Sequence, residues 1–146
     1  MFSGAYSHAV DNKGRTVIPS KFRSQLGERF YLTRGMNNCL WIFSSDKWRE
    51  FQTMVAPKSF LDNTAMKLER FFVGSAVECA PDTQGRIFLP QDLREYAGLD
   101  GDIWLVGLSD KVEVWSCKQW DEFNDSLTDD VIAQLGAELQ KRTTQE

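Results

Sequence analysis

Nine residues near the start of the chain return, little changed, 71 positions later. Asp11-Asn12-Lys13-Gly14-Arg15-Thr16-Val17-Ile18-Pro19 is answered by Asp82-Thr83-Gln84-Gly85-Arg86-Ile87-Phe88-Leu89-Pro90. Each copy reads D-x-x-G-R-x-φ-φ-P, where φ is apolar. In a chain of 146 residues that offset is about half the length. Such a repeat constrains the architecture before any one residue is interpreted. The likeness runs on through Phe22-Arg23 against Leu93-Arg94 and Gly27 against Gly98. One added residue then moves the offset to 72, and Leu40-Trp41-Ile42-Phe43 matches Val112-Glu113-Val114-Trp115. Trp48 and Phe51 match Trp120 and Phe123 in the same register. The organisation expected is a first repeat over 1–56, a helical connector over 57–71, a second repeat over 72–128, and a C-terminal helix and tail over 129–146. Units of about 55 residues are marginal alone, so the halves are expected to share one core.

Local patterns suggest mainly β structure with short helices, an α+β class. Residues 5–10 and 14–18 flank a polar turn and predict a β-hairpin, repeated over 77–89, with Gly14 and Gly85 at the turns. Pro19 and Pro90 then suit the first turn of short helices over Ser20–Leu26 and Gln91–Ala97, closed by Gly27 and Gly98. Strand patterns follow at Phe30–Thr33, Cys39–Phe43, Ile103–Val106 and Val112–Trp115. Ser44 and Ser116 offer N-cap oxygens to further helices. The Trp and Phe three residues apart on each of these read as core at helical spacing.

Several kinds of chemistry lack support. The one histidine, His8, cannot build a His-based metal site, and no Ser-His or Cys-His pairing is suggested. No glycine pattern for nucleotide phosphates occurs. Neither a metal, a cofactor, a small-molecule substrate nor an enzymatic activity is expected. Cys39, Cys79 and Cys117 are odd in number and widely spaced, and read as free thiols. No apolar run approaches the ~18 residues of a membrane helix. The first eight residues lack the basic start and apolar middle of a signal peptide, so a cytosolic location is expected.

The formal charge is −4, yet its distribution is uneven. Residues 1–50 hold eight Lys/Arg against four Asp/Glu, residues 51–120 seven against ten, and residues 121–146 two against seven. The N-terminal copy is basic, and a local basic face matters more to a polyanion than the total. Arg15, Arg86, Lys13, Arg23, Arg94 and Lys21 all belong to the turns and the short helices after them. Arginine offers a planar fork of donors suited to phosphate and to the guanine edge. Asp11 and Asp82 each stand four residues before an arginine, which favours ion pairing across the turn over acid–base work.

The pattern D-x-x-G-R-x-φ-I/L-P-x-x-φ-R resembles the swapped-hairpin transcription factors of the AbrB type. Two copies, with Ile18-Pro19-Ser20-Lys21-Phe22-Arg23 in the first and Leu89-Pro90-Gln91-Asp92-Leu93-Arg94 in the second, resemble the MraZ family over nearly the whole chain. The resemblance implies a swapped-hairpin β-barrel of two tandem AbrB-like repeats plus a C-terminal helix. It implies a homo-oligomeric ring, octameric or larger, in the cytoplasm at the nucleoid. It further implies sequence-specific binding of double-stranded DNA at promoter-proximal direct repeats, and repression of the cell's own division and cell-wall gene cluster. Arg15 and Arg86 are then the first expected DNA contacts, with Lys13, Lys21, Arg23 and Arg94 in support. Lys13 is matched by Gln84 and Lys21 by Asp92, so the first motif is expected to contribute more. Rival readings are a scaffold or antitoxin-like protein whose Asp/Arg motifs serve subunit contacts.

Overall fold

The structure, a computed structural model, describes residues 1–144, so residues 145 and 146 of the expected tail lie outside the described residues. It divides into two compact units, Met1–Ser116 and the segment from Cys117 on. The first unit contains β1 (Ala5–Ala9), β2 (Arg15–Val17), α1 (Ser20–Leu26), β3 (Phe30–Arg34), β4 (Leu40–Ser44), α2 (Ser45–Val55) and α3 (Asn63–Phe72). It continues with β5 (Val77–Cys79), β6 (Arg86–Phe88), α4 (Gln91–Ala97), β7 (Asp102–Leu108) and β8 (Lys111–Ser116). The second unit contains α5 (Cys117–Ser126) and α6 (Asp129–Thr144), and within α5 the rings of Trp120 and Phe123 stack at 5.8 Å.

The short helices begin and end where their prolines and glycines dictate. Pro19 and Pro90 stand at the N-caps, and Gly27 and Gly98 close the helices at φ +86° and +64°. Ser44 caps α2 by accepting from the Lys47 N–H, and Asp62 caps α3 by accepting from the Ala65 N–H at 3.1 Å.

The strands are exchanged between repeats. A six-stranded antiparallel sheet runs β1-β7-β8-β4-β3-β5, and β2 and β6 form a separate two-stranded ribbon. The pairings β1–β7, β3–β5, β4–β8 and β2–β6 each join one repeat to the other, while β3–β4 and β7–β8 stay within a repeat. The expected hairpins therefore do not form as local pairs. The turn itself closes, with Asp11 N donating to Arg15 O at 2.8 Å and Gly14 N to Asp11 O at 3.0 Å. Beyond it β1 and β2 part into different sheets. A hairpin of one half has little to bury against. Crossing instead buries Ile18, Ile87 and Leu89 in one core with Phe22, Leu93 and Ile103. The α+β class and the tandem architecture stand, but the barrel implied by resemblance is not closed. With β2 and β6 held in their own ribbon, the large sheet ends at β1 and β5.

Outside this core an aromatic cluster holds α2 and α3 to the sheet. Phe72 stacks on Trp41 at 5.4 Å with planes 3° apart, Phe51 meets Trp41 edge-on at 5.9 Å, and Trp48 stacks on Tyr31 at 5.4 Å. Trp48 and Phe51 thus pack the fold. Cys39 and Cys79 are buried free thiols and Cys117 is a half-buried one. Burial pushes the Cys79 thiol up to about 12 and the Cys39 thiol upward as well, so neither is a thiolate at neutral pH. No described helix is long and apolar enough to cross a membrane.

The ribbon has one internal fault. Thr16 is buried opposite Ile87, and its hydroxyl has no hydrogen-bond partner among the described residues. A buried orphan hydroxyl costs on the order of 1 kcal/mol or more. Thr16→Val keeps the shape and removes the orphan. It is expected to raise stability by about 1 kcal/mol in urea unfolding.

Candidate nucleic-acid interface

The two Asp-x-x-Gly-Arg turns have one geometry. Asp11 Oδ1 accepts from the backbone N–H of Lys13 at 2.9 Å and of Arg15 at 2.8 Å, and Oδ2 accepts from Arg15 Nε at 3.0 Å. Asp82 Oδ1 accepts from Gln84 N and Arg86 N, each at 2.9 Å, and Oδ2 from Arg86 Nε at 2.8 Å. Each carboxylate therefore closes an Asx turn and holds its arginine stem at once. The Arg15 backbone N–H is the main cause holding the Asp11 carboxyl below its usual range, helped by the Lys13 N–H and the guanidinium. For Asp82 the Arg86 N–H leads, followed by the guanidinium and the Gln84 N–H. Both stay charged at neutral pH and act as structural clamps. The sole hydrogen bond each guanidinium makes among the described residues runs through Nε, which leaves the Nη ends open to a ligand.

The arginines of the helices cross over. Arg23 Nε donates to the Ile18 carbonyl at 2.9 Å, and Arg94 Nε to the Leu89 carbonyl at 2.8 Å. A Cβ on Gly85 would lie 2.7 Å from Arg23 Cζ, and one on Gly14 would lie 3.1 Å from Arg94 Cζ. Each turn glycine, at φ +79° for Gly14 and +76° for Gly85, thus makes room for a guanidinium of the other repeat. Lys13, Arg15 and Arg94 gather at one turn, and Arg86 and Arg23 at the other, with uncharged Gln84 in the place of Lys13. Lys21 is exposed but lies elsewhere, its Nζ 6.0 Å over the Tyr6 ring.

The ribbon joins the two ends. Arg15 stands opposite Phe88, Thr16 opposite Ile87, and Val17 opposite Arg86. Ile18 N donates to Gly85 O at 2.9 Å and Leu89 N to Gly14 O at 2.8 Å, extending the ladder past each strand. Thr16 and Ile87 face the core, so alternation turns Arg15, Val17, Arg86 and Phe88 outward. Arg15 and Arg86 are diagonal neighbours on that face, with backbones roughly 7–8 Å apart.

Two features here escape a reading of the chain in sequence order. One is the seating of α1 on the second turn and α4 on the first. The other is Phe88, which stands 55% exposed among the arginines. The only signal was that β2 and β6 are equivalent by repeat and so free to pair.

Comparison with known proteins bears on the same repeat. The family described as "MraZ protein, putative antitoxin-like" matches the chain twice, over residues 1–71 and 72–143. The Transcriptional regulator MraZ of Alkaliphilus oremlandii is 45% identical over 141 residues, covering 95% of this chain and 99% of that protein. That of Acetivibrio thermocellus is 43% identical with the same coverage. That of Caldanaerobacter subterraneus is 43% identical over 126 residues, 86% of this chain and 88% of the relative. Matched twice, end to end, by one family, with the Asp-x-x-Gly-Arg turn folded alike in both halves, the chain belongs to the MraZ family.

Proposed function

We propose that this chain is a transcriptional regulator that binds double-stranded DNA through the β2–β6 ribbon. The observation that carries the reading is the outward face on which one strand from each repeat sets Arg15 and Arg86 side by side with open Nη ends. A two-stranded ribbon fits a major groove about 12 Å wide, where arginine forks meet guanine edges. Lys13, Arg23 and Arg94 flank it and serve phosphates. Relatives 43–45% identical bear the name transcriptional regulator, which supports the same role. On this reading the protein is not an enzyme and works in the cytoplasm, on the nucleoid.

The target is a set of promoter-proximal direct repeats, and the outcome is repression of the cell's own division and cell-wall gene cluster. One acidic subunit with one basic face binds weakly, so several faces must act together. A ring of eight or more subunits provides this by effective concentration. Two unlike apolar surfaces favour such head-to-tail closure. Phe60 and Leu61, 99% and 91% exposed in the loop before α3, form one, and Ile132, Leu135 and Leu139 on α6 form the other.

Fluorescence anisotropy with the chain's own upstream DNA tests the reading. Affinity is expected to fall roughly a thousandfold between about 50 and about 200 mM salt, as multiple phosphate contacts require. The mass of the assembly with and without that DNA reports the ring. Absence of binding at low salt would leave the scaffold reading in its place.

A further inference from the structure

We propose that Phe88 is a specificity-determining residue that reads thymine methyl groups in the groove the ribbon enters. The inference rests on the DNA-binding reading. Phe88 lies on the outward face of β6, directly opposite Arg15. The ladder bonds at Ile18–Gly85 and Leu89–Gly14 place the Arg15–Phe88 pair between hydrogen-bonded pairs, the position where opposed side chains come closest. More than half of the ring's surface is open, at 55% exposure. Its inner edge rests on the first turn, since a Cβ on Gly14 would lie 3.1 Å from Phe88 Cε1. The Arg94 guanidinium approaches the same point at 3.1 Å, so the ring shares the first turn with that guanidinium.

An exposed phenyl ring in the middle of a cationic face needs an apolar partner. The major-groove edges of the bases offer one apolar group, the thymine C5 methyl. The repeat supplies an internal contrast. By the repeat, position 88 answers Val17, which stands opposite Arg86 and is half-buried. The ribbon therefore carries a large, open apolar side chain beside Arg15 and only a short, half-buried valine, too short to reach a base edge, beside Arg86. A base pair contacted by Arg15 should accordingly neighbour a thymine that Phe88 touches.

Uracil in place of thymine removes the methyl and keeps the base pairing. The full-length protein is titrated with its upstream DNA and with the same fragment carrying uracil at every thymine. Wild type is expected to bind the uracil fragment about fourfold more weakly per subunit contact, the worth of one buried methyl group. Phe88→Ala and Phe88→Val are expected to bind thymine DNA more weakly and to lose the discrimination, with assembly mass and circular dichroism unchanged. Phe88→Val retains the strand-forming shape of Val17, which keeps the test open if the alanine variant folds poorly. Wild type binding both fragments alike overturns the proposal while leaving DNA binding intact. Discrimination that persists in both variants also overturns it, since another residue then reads the methyl. Loss of the assembled mass in Phe88→Val overturns it in favour of a subunit contact. If wild type binds neither fragment, the DNA-binding reading fails first, and this inference with it.

Discussion

On the proposed function, Arg15→Ala and Arg86→Ala are each expected to weaken binding to the upstream DNA by roughly ten- to a hundredfold per contacting subunit, the scale of one lost guanidinium fork. If several subunits act together as proposed, the loss in the assembly is expected to be larger. The fold should survive both changes. Asp11 still accepts from the Lys13 and Arg15 backbone N–H groups after the guanidinium is removed, and Asp82 from those of Gln84 and Arg86. The first turn carries Lys13 where the second carries Gln84, so Arg15→Ala is expected to cost more than Arg86→Ala. Arg15→Lys separates two roles. It keeps a charge for phosphate but not the planar fork, so recovery of affinity points to a phosphate and continued loss to a base edge. Anisotropy titrations at fixed salt check these outcomes. Variants that bind as tightly as wild type would remove the arginine assignment. Variants that lose assembly mass would instead make the arginines subunit contacts.

Phe22→Ala is expected to destabilise the first unit by about 3–5 kcal/mol, the usual cost of emptying a buried phenylalanine site. Phe22 is fully buried on α1, edge-on to Phe2 at 6.0 Å and to Tyr6 at 5.3 Å. A Cβ at Gly107 of β7 would come within 3.0 Å of its ring, so the space has no slack on the side of the second repeat. The midpoint of thermal unfolding should fall by on the order of 10 °C. The loss should appear as one transition and not two, because both repeats contribute to one core. Protein concentration must be held constant, since the proposed assembly would itself add stability. A variant with unchanged melting, or with one half melting alone, would contradict the shared core.

The helices of the repeats were legible because their signals are local. Pro19 and Pro90 start α1 and α4, Gly27 and Gly98 stop them, and the bounds Ser20–Leu26 and Gln91–Ala97 follow directly. The N-cap at Ser44 and the strand patterns around Phe30, Leu40, Ile103 and Val112 were equally visible, to within a residue or two. Strand partners were not visible. β1 and β2 flank a turn that closes, and nothing in Ala5–Val17 says that they then separate. That choice depends on what Ile18 and Ile87 bury against, which is the opposite half of the molecule. The turn arginines could be named from sequence. The crossing of Arg23 to Gly85 and of Arg94 to Gly14 could not, since it follows from the exchange. Phe88 passed as an ordinary apolar strand residue, because its exposure depends on which side of the ribbon faces out.

The exchange of strands within one chain has a consequence for orientation. Two identical half-length chains joined this way would carry matching ends, and such a reader is blind to which way round it lies on a duplex. Covalent fusion lets the ends diverge, as Lys13 and Gln84, Thr16 and Ile87, and Val17 and Phe88 have done. A lopsided reader has a head and a tail. In the proposed ring, successive copies of it would all point the same way, and the DNA they would suit is a tandem series and not a palindrome.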